Sequence, residues 1–354
     1  MSPGSVHRRK MHGMTLVELM VSVTIGLIIL AAVSTLFVTS KKTHTVQDRQ
    51  ARLQENARFA MQFLVKDLRL TGDFGCLSEI TTDTTHSTLN STSFAYDVQT
   101  AIEGLENATG TWYPSADTTL PTSIKAGTDA VAIRKTDGSS AVSLREDMPQ
   151  ASAELKVDAV AGLSENDIIM ISDCSSADVT QITAVPNTSA LTVQHNSGGG
   201  TSPGNKTGTA GNLSKAYAPP TKIMKFTTTR YYIRDNTDGI PSLWRDENLG
   251  TPMELVEGIE NLQILYGKDT DGDKVPNVYL KAGATGLQSA TDWASVKSVR
   301  VGIIARTVNT KDTDIDSATY DVDSDGSTDF TAPGDRNKRR VFQATVLLRN
   351  LQYR

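Results

Sequence analysis

The feature that most constrains this chain is an apolar run without a charged residue, which extends from Leu19 to Ser40. As a helix that rises about 1.5 Å per residue, the run would be about 33 Å long. That length is enough to cross a hydrocarbon core of about 30 Å. A single carboxylate, Glu18, lies at the front edge of the run, and the basic stretch HRRK at residues 7–10 precedes it. The sequence therefore predicts an N-terminal helix that spans a membrane.

Two ordinary targeting signals share this pattern of charge and hydropathy. A secretory signal peptide also begins with basic residues, but its apolar segment is usually only about 7–15 residues long and ends at a small-residue cleavage site. A plain signal anchor needs only length and flanking charge, and it gives no reason for Glu18. A carboxylate at the edge of a membrane span costs free energy and is usually functional and paired. We therefore interpret Glu18 as a functional residue.

The sequence around Gly13 resembles the class III signal sequence of type IV prepilins. Gly13 is followed by MTLVELMVSVTIGLIIL, and in that family a basic leader is removed directly after the glycine. The resemblance implies a leader peptide at residues 1–13, N-methylation of Met14, and a role in subunit register and assembly for Glu18, fifth in the mature chain. Met14 stands where phenylalanine is commonest. Thr35 stands where major pilins usually carry a helix-bending proline, which favours a minor pilin or a pseudopilin.

The composition suits an exported domain behind this anchor. The chain has 354 residues, of which about 280 follow the long helix, enough for one large domain or two small lobes. A formal net charge of −5 gives no general case for nucleic-acid binding, and none is expected.

The orientation follows from the flanking charges and the resemblance together. The basic stretch at residues 7–10 is expected to stay in the cytoplasm, whereas Lys41 and Lys42 on the far side weaken that asymmetry. Prepilins place the domain outside. We therefore expect a single-pass inner-membrane protein with a cytoplasmic N-terminus and a periplasmic domain before assembly, and a place in the pilus at the cell surface afterwards.

A second helical pattern follows the span, from Lys41 to Thr71, and Gly72 is a suitable stop. Its apolar residues recur at spacings of three, four and seven, and they are Val46, Leu53, Ala57, Ala60, Leu64 and Leu68. We expect residues 14–72 to form one helix. Its second half would pack on the exported domain, and its first half would meet neighbouring subunits.

From Asp73 the pattern changes to the alternation that is typical of strands. The predicted strands are rich in Val, Ile, Thr and Tyr, and they are Ala130–Arg134, Val142–Arg145, Leu155–Val160, Ile168–Asp173, Val179–Ala184, Leu191–His195, Lys222–Arg234, Leu262–Gly267, Val275–Leu280, Lys297–Val308 and Arg340–Leu348. Residues 196–212 are too rich in Gly, Ser, Thr and Asn to bury a core, so we expect a mobile loop there. We interpret residues 73–354 as a β-rich domain of two sub-lobes divided by this loop. A single sheet interrupted by a long insertion fits as well.

Several short sequence segments, taken in their order along the chain, resemble those of a PilW-type minor pilin. They are GDFGCL, YYIR at 231–234, SLWR at 242–245, the run at 254–267, VRVGIIAR at 299–306 and RVFQATVLLRN at 340–350. The resemblance implies an α+β, type IV pilin-like fold, in which a long N-terminal helix packs on an antiparallel β-rich extracytoplasmic domain. It also implies a structural subunit that helps to initiate type IV pilus assembly at or near the pilus tip. The expected partners are other minor pilins and the major pilin through the N-terminal helix, the prepilin peptidase, the inner-membrane assembly platform and a tip adhesin.

No constellation in the sequence indicates catalysis, and we expect no enzyme activity. The five histidines are scattered, and no His or Cys pair has the spacing of a zinc site. The glycines at 198–200 lack the Lys-Ser/Thr of a phosphate loop. The alternatives are a type II secretion pseudopilin, which is similar in architecture, and a membrane-anchored periplasmic binding module or enzyme. An anchored binding module or enzyme would have no reason to carry a cleavage site after Gly13.

The cysteines predict one disulfide. Cys76 and Cys174 are the two cysteines of the chain, and an exported domain lies in an oxidising compartment, where an even cysteine count usually means disulfides. The bridge would join the end of the long helix to the predicted strand at Ile168–Asp173. Two buried free thiols are the alternative.

Two loops have the alternating acidic residues that hard cations require, and they make calcium the candidate cofactor. The first loop has Asp269, Asp271 and Asp273, with Asn277 at position nine, and the second has Asp321, Asp323 and Asp325, with Asp329 at position nine. The second loop has Gly326 at its turn position, where the first has Lys274. Both lack the bidentate glutamate at position twelve, where Leu280 and Ala332 stand. Ordinary acidic turns, which Asp and Gly also favour, are the alternative.

Overall fold

The computed structural model describes residues 14–77, 81–91, 94–108, 110–185, 190–197, 202–308 and 314–352. The leader at residues 1–13, with Gly13, lies outside the described residues. The helices are α1 (Leu16–Arg69) and α2 (Ala290–Ala294), with 3-10 turns at Phe94–Tyr96, Gly208–Gly211 and Arg349–Leu351. The strands are β1 (Thr85–Ser87), β2 (Ile102–Leu105), β3 (Ala130–Ser143), β4 (Leu155–Lys156), β5 (Ile168–Ser172), β6 (Ala177–Gln181), β7 (Thr192–Val193), β8 (Lys222–Asp235), β9 (Pro241–Glu247), β10 (Met253–Glu257), β11 (Ile259–Lys268), β12 (Val278–Leu280), β13 (Val296–Arg306), β14 (Thr319–Tyr320), β15 (Phe330–Thr331) and β16 (Arg339–Leu347).

The long helix α1 has 54 residues, and the chain divides into two compact units within it, between Arg52 and Leu53. In the C-terminal unit the buried residues of α1 are Leu53, Ala57, Ala60, Leu64, Asp67 and Leu68. Five of them belong to the predicted apolar stripe, which is confirmed as the packed face; Val46 lies in the N-terminal unit. A long apolar helix followed by a β-rich domain confirms the predicted fold class.

Two sheets form the body of the C-terminal unit. The larger has the order β1-β6-β5-β8-β3-β2, with β9 beside β8 and β10 beside β9, and the smaller has the order β12-β11-β13-β16. Neighbouring strands in both sheets are antiparallel except β1 and β6, which run parallel. The main hydrophobic core contains the buried face of α1 together with residues of both sheets. A second core cluster, with Leu155, Ile169 and Val193 among its members, belongs to the segment between β3 and β8.

The interpretation of two sub-lobes divided at residues 196–212 needs correction. β8 follows that segment in sequence, yet it pairs with β3 and β5, which precede it. Strands from both sides of the segment therefore share one sheet. The residues between the paired strands β3 and β8 form a long insertion into that sheet, which was the other arrangement that the sequence allowed.

The described part of the segment 196–212 is also anchored, against the expectation of a mobile loop. Asn205 is fully buried. Its Nδ2 donates to the carbonyls of Gln181 (2.8 Å) and His195 (3.2 Å), and its Oδ1 accepts from the Gln181 N–H (2.9 Å). A single buried amide thus replaces the apolar contacts that the composition of this segment cannot supply.

Most predicted strands are present with shifted ends, and the reasons for the misses are local. The two strands predicted at Ala130–Arg134 and Val142–Arg145 are one strand, β3, with an irregularity between Asp137 and Val142 that hides its alternation. β2 is one of the strands that were not predicted, together with β1, β9, β10, β14 and β15, and its second residue is charged. That residue, Glu103, lies 2.6 Å from the Arg134 guanidinium, and both side chains are fully buried.

One polar residue joins the packed face of α1 to the larger sheet. Asp67 lies among the apolar residues of this face, where its Oδ1 is 2.6 Å from Lys135 Nζ on β3. Its Oδ2 accepts a hydrogen bond of 2.7 Å from the Tyr231 hydroxyl on β8. Burial and the Asp67 charge raise the pKa of Tyr231, so the hydroxyl keeps its proton and remains a donor. Two neighbouring strands therefore hold the same carboxylate.

A disulfide lies close to the same end of the helix. Cys76 and Cys174 are bonded, with an S–S distance of 2.01 Å and Cα atoms 4.9 Å apart. Cys76 follows α1, and Cys174 lies in the turn between β5 and β6. The predicted bridge is confirmed, and it links the end of the helix to the edge half of the larger sheet.

Replacing Asp67 by alanine is expected to lower the free energy of unfolding by about 2–3 kcal/mol, because Lys135 and Tyr231 would lose a charged partner in a buried site. Chemical denaturation of the detergent-solubilised chain measures the change. Glu55→Ala is the matched control, since Glu55 is an exposed acidic residue of the same helix, and it should shift stability by no more than about 0.5 kcal/mol. Equal effects of the two substitutions would contradict the anchoring role of Asp67.

Removing the disulfide is expected to lower the free energy of unfolding by about 4–5 kcal/mol, because the bridge closes a loop with a sequence separation of 98 residues. The measurement compares Cys76→Ser/Cys174→Ser with the unreduced wild type, and reduced wild type should match the double variant. A thiol reagent added to unfolded, unreduced protein should label neither cysteine. Labelling of both would refute the bridge.

Candidate functional site

The first candidate site is the apolar surface of the N-terminal unit. Every residue from Met14 to His44 is exposed, and within the described residues α1 is the helix that is long and apolar enough to cross a membrane. The hydroxyl groups of Ser22, Thr24, Ser34 and Thr35 donate to backbone carbonyls of their own helix, for example Ser22 Oγ to the Glu18 carbonyl (2.6 Å). These four hydroxyls therefore need no partner outside the helix, and the surface around them is suited to lipid or to other apolar helices.

Glu18 closes the N-terminus of this helix. The Thr15 N–H donates to Glu18 Oε2 (2.9 Å), and the Glu18 N–H donates to Thr15 Oγ1 (3.3 Å). This reciprocal pair is a capping box, which satisfies two of the backbone donors that a helix start leaves unpaired. The structure thus gives Glu18 a local role within its own chain, beside the intermolecular role expected from the sequence. A capping box needs a carboxylate or an amide at this position, but it does not need the charge.

The second candidate site is the loop of Asp321, Asp323 and Asp325. One carboxylate oxygen of each lies within 4.8 Å of the others. Asp323 is fully buried, whereas Asp321 and Asp325 are exposed. Gly326 has a φ of +90°, which confirms the turn expected of it. Asp329 holds the loop from the inside, since its Oδ2 accepts the Val322 N–H at 2.8 Å.

The loop is pressed against the smaller sheet at Gly302. A Cβ at Gly302 would lie only 1.8 Å from the Val322 carbonyl oxygen, so no other residue fits there. The Gln343 side chain of β16 donates to the same carbonyl at 2.7 Å. The position of this acidic loop is therefore fixed by two strands of the sheet, and not by the loop sequence alone.

A lysine that the sequence did not indicate lies among these carboxylates. Lys281 Nζ is 3.1 Å from Asp329 Oδ1, 3.3 Å from Asp325 Oδ2 and 3.7 Å from Asp323 Oδ2. Their charges and the hydrogen bond to Asp329 raise the pKa of Lys281 against the opposing effect of burial. Lys281 follows β12 and is far from the loop in sequence, so no spacing rule could have found it.

A fifth carboxyl group, from another segment, interacts electrostatically with these side chains. Glu106 follows β2, and its pKa is raised to about 7 by burial and by the charges of Asp323, Asp329 and Asp325, which outweigh the lowering effect of Lys281. We call Asp321, Asp323, Asp325, Asp329 and Glu106 together the acidic cluster.

Two oxygen atoms of the acidic cluster are left without a donor. Asp323 Oδ2 and Glu106 Oε2 are buried, and neither accepts a hydrogen bond from any described residue. The hydroxyl of Tyr266, a residue whose pKa is raised by burial and by the charges of Asp129 and Glu106, is likewise buried without a described partner. Buried polar atoms are nearly always hydrogen-bonded or in contact with water or an ion, so these three require an explanation.

The third candidate site, the loop of Asp269, Asp271 and Asp273, has its own internal partners. Asp269 Oδ1 accepts the Gly272 N–H (2.7 Å) and its Oδ2 accepts the Lys274 N–H (2.9 Å). Asn277, the residue at position nine, directs its amide NH₂ to Asp271 Oδ2 at 3.2 Å. Lys274 has a φ of +69°, the conformation for which glycine is preferred. Calcium binding at this loop stays a prediction, and its described hydrogen bonds are those of an acidic turn.

A small cavity of about 150 Å³ lies between α2 and the C-terminal turn. Its lining residues carry no titratable side chain, and they are Gln99, Thr100, Ala101, Ile102, Pro114, Ala290, Trp293, Ala294 and Leu351. The cavity lining therefore offers no acid–base group.

Comparison with known proteins finds two family models in this chain. Residues 8–34 match the prokaryotic N-terminal methylation motif, and residues 230–350 match the Type IV Pilus-assembly protein W family. No curated protein matches the chain. Among solved structures, the type IV-like pilin TTHA1219 from Thermus thermophilus aligns over 85% of this chain and 98% of its own, with 11% sequence identity and a TM-score of 0.32.

The two family matches agree with the geometry of the two ends of the chain. The methylation motif covers the start of α1 with Thr15 and Glu18, and the assembly-protein W region covers the end of β8 and the strands from β9 to β16. The chain therefore carries the prokaryotic N-terminal methylation motif at its start, and its C-terminal region is similar to the Type IV Pilus-assembly protein W family.

Proposed function

We propose that this chain is a minor pilin that helps to initiate type IV pilus assembly and lies at or near the pilus tip, in a complex with other minor pilins. The observation that carries the proposal is the exposed, uncharged surface of α1 from Leu19 to Ser40, which begins at the Glu18 carboxylate. Such a surface is covered by lipid before assembly and by the helices of neighbouring subunits afterwards. The role is structural, and it requires no catalytic group or cofactor.

Glu18 sets the axial register in which this surface packs against an adjacent subunit. After cleavage behind Gly13, the methylated amine of Met14 would begin the mature chain. The Glu18 carboxylate would then pair with the cationic N-terminus of an adjacent subunit, because opposite charges in a medium of low dielectric attract strongly when they come together. The capping box leaves Glu18 Oε1 without a described hydrogen bond, so the carboxylate can keep its local role while it accepts the second partner.

The tip position is supported by the size of the exported domain. The insertion between β3 and β8 has its own core cluster and enlarges the domain. A large domain is most easily accommodated at the end of a fibre, where no subunit lies above it. A periplasmic location before assembly is supported by the Cys76–Cys174 disulfide, since disulfides persist in oxidising compartments.

Two substitutions separate the capping role of Glu18 from its charge. Glu18→Gln keeps a side chain that can cap the helix but removes the charge, and we expect normal leader removal with at least a tenfold loss of incorporation into sheared fibres, about 1.4 kcal/mol or more. Thr15→Ala removes the cap partner but keeps the charge, and we expect incorporation to stay within about twofold of wild type, because a cap contributes only about 1 kcal/mol to a helix that packing also stabilises. The reverse ranking would contradict the charge-pair role.

Intact-mass analysis of the membrane-derived protein tests the processing step. We expect the mass of residues 14–354 plus one methyl group, and a Gly13→Ala variant serves as the control that should keep its leader. A retained leader in the wild-type protein would exclude the proposal. Co-purification with other minor pilins of a type IV pilus supports the pilus role, whereas co-purification with secretion-system pseudopilins would assign the chain to type II secretion.

A further inference from the structure

The acidic cluster contains more negative charge than the structure neutralises. Asp323, Asp325 and Asp329 place three carboxyl groups within 4 Å of the Lys281 ammonium group, and the charge of a fourth, Glu106, interacts with the same groups. If all four are ionised, the formal excess is three negative charges. Like charges in a partly buried site repel one another unless a cation or protonation offsets them, so one lysine does not complete this site.

Two atoms show where further positive charge is missing. The Asp323 side chain is only 1% exposed, and its Oδ2 receives no hydrogen bond from the described residues; its nearest cation, Lys281 Nζ, lies 3.7 Å away. Glu106 Oε2 is likewise a buried atom that receives no hydrogen bond from the described residues. Leaving a buried charged oxygen without a donor is costly, so both atoms would be stabilised by a further cation.

The spacing of the loop oxygens fits one calcium ion. Calcium binds six to eight oxygens at about 2.3–2.6 Å, so two of its ligands can be separated by up to about 5 Å. The oxygens of Asp321, Asp323 and Asp325 lie within 4.8 Å of one another, inside this limit. The residue at position twelve of the loop is Ala332. Glu106 offers, from a different part of the chain, the carboxylate that this linear motif lacks.

We propose that the acidic cluster binds a calcium ion and that the ion displaces the ammonium group of Lys281. The lysine occupies the cluster in the absence of the ion, and its flexible side chain, 31% exposed, turns to solvent when the ion enters. Binding therefore exchanges one positive charge for two, and it supplies a partner for Asp323 Oδ2 and Glu106 Oε2. This proposal is independent of the proposed role in pilus assembly.

The test uses the full-length chain in detergent, with calcium added to protein that has been treated with a chelator. We expect heat on calcium titration and a rise in melting temperature, and both should be lost in Asp323→Asn and Glu106→Gln. Asp271→Asn is the matched substitution in the other acidic loop, and it should leave in place the part of the calcium response that Asp323→Asn and Glu106→Gln remove. Folding of each variant is verified by circular dichroism in chelator.

Lys281→Met tests the displacement itself. Because this substitution removes the competing cation at nearly constant volume, calcium should bind about tenfold or more tightly, and added calcium should restore any stability that the variant loses in chelator. Absence of a calcium response in both the wild type and Lys281→Met would overturn the site. Equal or weaker binding by Lys281→Met would overturn displacement, and a response lost only in Asp271→Asn would move the site to the other loop.

Discussion

The packing of the C-terminal part of α1 against two sheets is the interaction on which the C-terminal unit depends. Its apolar face supplies the centre of the main core, and Asp67 fixes the helix to β3 by an ion pair and to β8 by a hydrogen bond. The residues after the helix continue this attachment: the Gly72 N–H donates to the Arg134 carbonyl (2.9 Å), and the Asn350 side chain donates to the Thr71 carbonyl (3.1 Å). The two ends of the domain's chain thus meet at one end of one helix.

The same dependence on distant residues explains the acidic cluster. Its loop has the sequence of an ordinary acidic turn, and its chemical character comes from what the sheet places around it. Gly302 allows the loop to approach, Lys281 contacts its carboxylates, and the charge of Glu106 interacts with them from a third segment. Both acidic loops have carboxylates that accept their own backbone N–H groups. Two loops that are alike in sequence therefore differ in the charged residues that the fold places beside them.

The sequence predicted the parts of the structure that have a periodic pattern of apolar residues, and it predicted the disulfide. The apolar run, the stripe on α1 and most of the strands follow from periodicity. The disulfide follows from two cysteines in a chain that is expected to be exported. The sequence did not predict β2, because Glu103 interrupts its apolar pattern and is neutralised only by Arg134, on the adjacent strand β3. It did not predict the anchored loop at Asn205, because a buried amide gives no apolar signal. It also gave no sign of Lys281 or Glu106 near the acidic loop, since only the completed topology brings them there.

The Cys76–Cys174 bridge has a mechanical consequence. An extended chain spans at most about 3.3–3.6 Å per residue, and the bridge encloses a sequence separation of 98 residues. A pulling force applied between the ends of the protein therefore cannot extend this segment while the bond is intact, which shortens the longest reach of the unravelled chain by about 330 Å. The force passes from Cys76 directly to Cys174, so the backbone of the strands β1 to β5 is not drawn out while the bond is intact.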